Sequence, residues 1–145
     1  MNNPQTMAQR IGEATGDRKL TAIGKWGCCA FTALWIAGLE DATDNICIVV
    51  RQMGKGLDNE CTVFWSIFYK NVTGKNITVE RREIKSLDDV KDIERCAVRF
   101  DYRGYSHWVG VEYGRIAFNS LEFSNCVTYG NPSTARIIKG LKDGS

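Results

Sequence analysis

Cys28-Cys-Ala-Phe-Thr-Ala-Leu-Trp-Ile-Ala-Gly-Leu39 is apolar almost all round a helical wheel. A helix without a polar face has to be enclosed by the rest of its chain, so this stretch is read as the helix around which the protein is built. Gly27 precedes it and puts Cys28 in the first turn, where N–H groups point outward and the helix dipole favours an anion. Upstream, a weakly amphipathic stretch from Pro4 to about Thr15 stops at Gly16. Downstream, a third helix is read after Thr43-Asp44, whose side chains can cap it, and ends near Gly54. A fourth follows Asp58 and Asn59, runs through Cys61-Thr-Val-Phe-Trp-Ser-Ile-Phe-Tyr69 and breaks at Gly74.

The second half changes period. Asn76-Ile-Thr-Val-Glu-Arg-Arg-Glu-Ile84 alternates as a strand does, and Ser86-Leu-Asp-Asp-Val-Lys-Asp92 reads as a short capped helix with acids in its first turn. Four strands are then expected as a meander, at 95–100, 105–112, 115–119 and 121–129, with turn signals at Asp101-Tyr-Arg-Gly104 and Tyr113-Gly114. Ser133-Thr-Ala-Arg-Ile-Ile-Lys139 fits a last strand or a helix. Helices first and an antiparallel sheet afterwards make an α+β protein, expected as one domain over 1–145.

Composition narrows the function classes. A chain of 145 residues can bury a real core, and a net charge of +2 with the basic residues scattered among acidic ones argues for neither nucleic acid nor a membrane as partner. The densest basic cluster, Glu80-Arg-Arg-Glu83, cancels itself. The start, Met1-Asn-Asn-Pro-Gln-Thr6, lacks the basic-then-apolar pattern of a secretory signal, so a cytoplasmic location and a mature form equal to the translated chain are expected. Of the six cysteines, most lie in apolar runs, which suits free buried thiols better than disulfides in such a chain. Without a Cys-x-x-Cys pair, and with one histidine, a zinc site is a poor fit, and no cofactor is expected.

The single histidine, His107, lies in Tyr105-Ser-His-Trp-Val-Gly-Val-Glu112, and Val109 and Val111 share its face. That face packs inward, and a buried imidazole requires a partner. If 112–114 forms a three-residue loop with Gly114 left-handed, Val111 pairs with Arg115 and His107 faces Asn119; a two-residue Tyr113-Gly114 turn would put Ser120 there instead. Asn119 is the preferred partner, because its amide oxygen can accept a ring N–H and hold the tautomer. Cys28, at a helix N-terminus, is expected to have a lowered thiol pKa and to offer its own N–H to an oxyanion. Neighbours on a helix point about 100° apart, so only one of Cys28 and Cys29 can face the imidazole. The plain alternative is that both are small core residues opening an apolar helix. Of the tryptophans, Trp26, just before Cys28, is the one that could line a cleft, with Gly104 and Tyr105 near the start of the His107 strand.

These residues carry a resemblance. Gly27-Cys-Cys-Ala-Phe-Thr-Ala33 is similar to the segment around the nucleophile of papain-like cysteine peptidases, usually Cys-Trp-Ala-Phe-Ser-Ala. His107-Trp-Val-Gly-Val111 and Ile116-Ala-Phe-Asn-Ser120 resemble that superfamily's His strand and the Asp/Asn strand after it. The compact form is most similar to the bacteriocin-processing peptidases and related small bacterial or phage proteins. The resemblance implies a papain-like fold with Cys28 as nucleophile, His107 as base and Asn119 as orienting residue, acting on a peptide or isopeptide bond of a peptide or protein substrate. One position departs from the pattern. The family normally carries a Gln five or six residues before the nucleophile, where this chain has Ile23 and Ala22; its nearest upstream glutamine is Gln9. Lys19, Lys25 or a displaced Gln9 would have to donate instead, and loss of one oxyanion donor costs about 100- to 1,000-fold in rate. A weakly active or inactive papain-like binding module, such as a phage or mobile-element protein inhibiting a host factor, is therefore the alternative. A structural α+β protein with incidental thiols is the third reading.

Overall fold

A computed structural model describes residues 3–142, so the ends of the expected 1–145 domain, including Met1 and Asn2 of the expected leaderless start, lie outside the described residues. Five helices come first: α1 (Pro4–Thr15), α2 (Arg18–Trp26), α3 (Cys28–Ile36), α4 (Ala42–Gln52) and α5 (Trp65–Thr73). Then follow β1 (Thr78–Glu83), a 3₁₀ turn (Leu87–Val90), β2 (Arg95–Tyr102), β3 (Tyr105–Glu112), β4 (Arg115–Phe118), the short helix α6 (Asn125–Tyr129) and β5 (Asn131–Lys139). The class is α+β, and the sheet is antiparallel throughout.

Several boundaries move for identifiable reasons. Helix α2 was not expected; its sign is Asp17, whose carboxylate accepts the Leu20 N–H at 2.9 Å as an N-cap. Helix α4 begins upstream of Thr43-Asp44, capped by Asp41, which accepts the Asp44 N–H at 2.9 Å. Helix α5 begins only at Trp65, because Asp58 takes the N–H groups of Glu60 and Thr62 at 2.9 Å each, and Cys61 turns left-handed at φ 59°. Residues 121–129 are not the fourth strand of a meander. They form a loop leading into α6, and Phe123 there is 66% exposed, so the apolar alternation does not mark a buried face. The tail supplies β5 instead, inserted between β1 and β2 in the order β1-β5-β2-β3-β4.

The sheet has a core on each side. Cys96, Val98, Phe100, Val109, Val111, Ala135 and Ile137 pack with Val90 and with Cys126 of α6. On the other side Val79, Phe118 and Ile138 meet the helical layer, in which Phe31, Ala33, Leu34 and Trp35 of α3 are buried. The seat of α3 is Gly110 on β3: a Cβ there would lie 2.4 Å from the Trp35 ring. Arg95 of β2 fastens the far end of that helix, stacking 4.3 Å over the Trp35 ring and donating to the Trp35 carbonyl at 2.7 Å.

Candidate functional site

Helix α2 runs into α3 through a single residue, Gly27. Its N–H donates to Ile23 O at 2.8 Å, and its carbonyl accepts the Phe31 N–H at 3.0 Å. A side chain at Gly27 would begin 2.6 Å from Ile23 O, so the glycine makes room for the chain itself. No side chain caps α3. Its first turn begins at Cys28, where a helix terminus favours an anion.

Cys28 meets the sheet at an edge. β4 pairs with β3 only at Gly110, Val111 and Glu112, so the stretch around His107 is left without a strand on that side. There the Trp108 N–H donates to Cys28 Sγ at 3.5 Å. The sulfur thus sits beside the residue next to His107, although strand alternation directs the imidazole to the opposite face from α3. Cys29 instead packs against the helical core. Its thiol is held well above the usual range, first by burial and then by the nearby Cys28, against the pull of Arg136.

His107 is 4% exposed, and its Nε2 lies 2.7 Å from Asn119 Oδ1. The same Oδ1 accepts the Leu121 N–H at 3.0 Å, which identifies that end of the amide as the oxygen. Nε2 therefore carries the ring proton and donates it, and Nδ1 bears the lone pair a base needs. The hairpin geometry differs from the expectation. Tyr113 and Gly114, at φ 47° and 77°, make a two-residue turn pairing Glu112 with Arg115; a bulge then sets Gly110 opposite Phe118. Pairing ends at Phe118, and Asn119 reaches the imidazole by its side chain from beyond the strand. Ser120 turns away, its hydroxyl donating to Gln5 Oε1 at 2.7 Å.

The electrostatics run against the thiolate that a helix N-terminus alone would favour. Burial raises the Cys28 pKa, outweighing the N–H groups of Trp108, Cys29 and Cys28 itself, which pull it down. Burial also lowers the His107 pKa, against the Asn119 hydrogen bond, which raises it. Both shifts favour the neutral pair, and among the described residues no hydrogen bond joins Cys28 Sγ to the imidazole. The expected low thiol pKa is corrected on this point: removal of the sulfur from water is the larger effect.

Two residues of this region carried no sequence signal. Gln5, 2% exposed, and Asn3 reach from the start of α1 to the segment around Asn119, more than 100 positions away. Gln9 is exposed on α1, and Lys25 lies 4.6 Å over the Trp26 ring. Trp26 and Tyr105, 39% and 75% exposed, flank Cys28 and His107 in sequence. A cavity of about 650 Å³ opens elsewhere, at the C-terminal end of α3 against Arg95, Glu112 and Leu141, and Cys28, His107 and Asn119 do not line it. All six cysteines are free thiols, Cys47 being exposed. Among the described residues there is no group of three or more His, Cys, Asp or Glu that could hold a metal ion, and no helix is long and apolar enough to cross a membrane. Comparison with protein-family models, curated protein sequences and solved structures found no significant match to this chain.

Proposed function

We propose that the protein is a thiol hydrolase of papain-like type that cleaves a peptide or isopeptide bond, with Cys28 as nucleophile, His107 as general base and acid, and Asn119 as the orienting residue. The observation that carries this reading is the 2.7 Å bond from His107 Nε2 to an Asn119 oxygen whose identity Leu121 fixes, on the strand edge that also holds the Cys28 sulfur. It leaves Nδ1 as the free base, the division of labour that nucleophilic cysteine chemistry requires.

His107 Nδ1 removes the Cys28 proton as Sγ attacks the carbonyl carbon, and the Cys28 N–H meets the oxyanion. The imidazolium then gives its proton to the leaving amine, forming a thioester. Water, deprotonated by His107, attacks the thioester and releases the acid, and the proton returns to sulfur. A resting neutral pair fits general-base catalysis, in which thiol and imidazole draw together only when substrate is bound.

The same neutrality favours the second reading, a binding module that keeps the scaffold without the chemistry. The test is acylation by p-nitrophenyl acetate together with a fluorogenic peptide and isopeptide library, on wild type, Cys28→Ser and His107→Ala. The hydrolase reading expects acylation mapped to Cys28 and lost in both variants by about 100-fold or more. Acylation at Cys28 no faster than at the exposed Cys47 overturns it in favour of the binder.

A further inference from the structure

The nucleophile and the orienting residue come from segments about 90 positions apart in a chain of 145, and one buried side chain hydrogen-bonds to both segments. Gln5 Nε2 donates to Gly24 O at 3.1 Å, on the helix that delivers Cys28. Gln5 Oε1 accepts the Ser120 hydroxyl at 2.7 Å, one residue beyond Asn119. The Gln5 N–H also donates to Ser120 O at 3.0 Å, and Asn3 Nδ2 donates to Asn119 O at 3.0 Å and Leu121 O at 3.3 Å. The start of α1 thus grips three successive backbone carbonyls, those of Asn119, Ser120 and Leu121.

The Gly24 contact has a second consequence. In an unbroken helix the Cys28 N–H would donate to the carbonyl four residues back, which is Gly24 O. That carbonyl accepts Gln5 Nε2, and the helix breaks at Gly27, between Gly24 and Cys28. With both ends of its amide engaged and its side chain enclosed, Gln5 cannot itself reach a substrate.

We infer that Gln5 is a positioning residue for this site: through Gly24 it keeps the Cys28 N–H free as oxyanion donor, and through Ser120 it holds Asn119 against His107. This rests on the hydrolase reading for its donor half and on the His107–Asn119 contact alone for its other half. It also gives the chain a substitute for the glutamine absent at positions 22 and 23, acting on the donor rather than as one.

The test separates the two halves. Acylation of Cys28 by p-nitrophenyl acetate passes through an oxyanion, whereas alkylation by iodoacetamide does not. Gln5→Met is expected to slow acylation at least about tenfold while alkylation of Cys28 stays within about twofold. A merely structural lesion would move both rates together. Because the chain has one histidine, its NMR titration reads the other half directly. The Asn119 bond raises the His107 pKa, so Gln5→Met and Asn119→Ala should each lower it, and the double variant should lie no lower than Asn119→Ala. Ser120→Ala, the variant to use if Gln5→Met does not fold, should lower the His107 pKa without splitting acylation from alkylation. Unchanged acylation-to-alkylation ratios together with an unchanged His107 titration overturn the proposal. If wild type is not acylated at all, the hydrolase reading and the donor half fall together, and the titration still decides the Asn119 half.

Discussion

At Cys28 two effects compete and burial wins. A helix N-terminus is worth about 0.3–1 kcal/mol to a nearby anion at exposed sites, and removal from water outweighs it here, so the thiol ionises above its ordinary range. Iodoacetamide labelling of Cys28 should therefore still be rising at about pH 9, measured by mass spectrometry against the exposed Cys47 in the same molecule. A plateau below pH 7 would mean a preformed thiolate–imidazolium pair and would contradict the burial argument. Asn119 has a comparable test. Asn119→Ala deprives both the His107 Nε2–H and the Leu121 N–H of their acceptor. Esterase activity should fall by about 100-fold, with the imidazole still present but no longer held in one tautomer. The chemistry-bearing residue types were legible in the sequence because there is one histidine to choose. The choices between Cys28 and Cys29, and between Asn119 and Ser120, were not, since each turns on where neighbouring side chains find their partners.

Elements were legible where a local signal matched the burial that tertiary packing imposed. Strand β3 coincides with its alternating run at Tyr105–Glu112, and α1 ends at the left-handed Gly16 as its sequence suggests. Helix α2 escaped because few of its residues are buried, and its cap was the only local mark. Residues 121–129 misled because Phe123 and Tyr129 are exposed while Cys126 is buried from a helix, so their spacing says nothing about a sheet face. The seat of α3 is a contact with no room for change. Gly110→Ala would push a methyl group to 2.4 Å from the Trp35 ring. Overpacking of this kind costs about 1–3 kcal/mol. The urea midpoint should fall with the m-value unchanged, and Cys28 labelling should quicken as the first turn of α3 lifts from β3.

Taken whole, the molecule buries Cys61, Cys96 and His107, and its stability should respond to pH from both sides. Burial pushes Cys61 and Cys96 up to about 12, and raises Cys28 and Cys29 as well. An unfolded thiol ionises near about 8.5, so these contributions are complete below that pH and are lost as pH climbs toward the folded values. The melting temperature should be level from neutral to about pH 8.5 and decline beyond it. Cys96→Ala should flatten the alkaline slope by up to about 1.4 kcal/mol per pH unit, read by urea melts at a series of pH values. His107 works in the opposite direction: its folded pKa is depressed, so its contribution is present above about 6.5 and lost as pH falls through the folded value. What the sequence by itself determined was the α+β class, the enclosed helix that opens with Cys28, and the strand that bears His107, because side-chain periodicity and turn chemistry are properties of short stretches. The tertiary structure alone decided that β5 enters the middle of the sheet, that a bulge and an early strand end leave β3 an open edge for Cys28, and that Gln5 ties α2 to the Asn119 loop. It also decided that burial, not the helix terminus, sets the direction of the Cys28 thiol's pKa. Register, edges and exclusion of water are set by segments distant in the chain, and no window of sequence contains them.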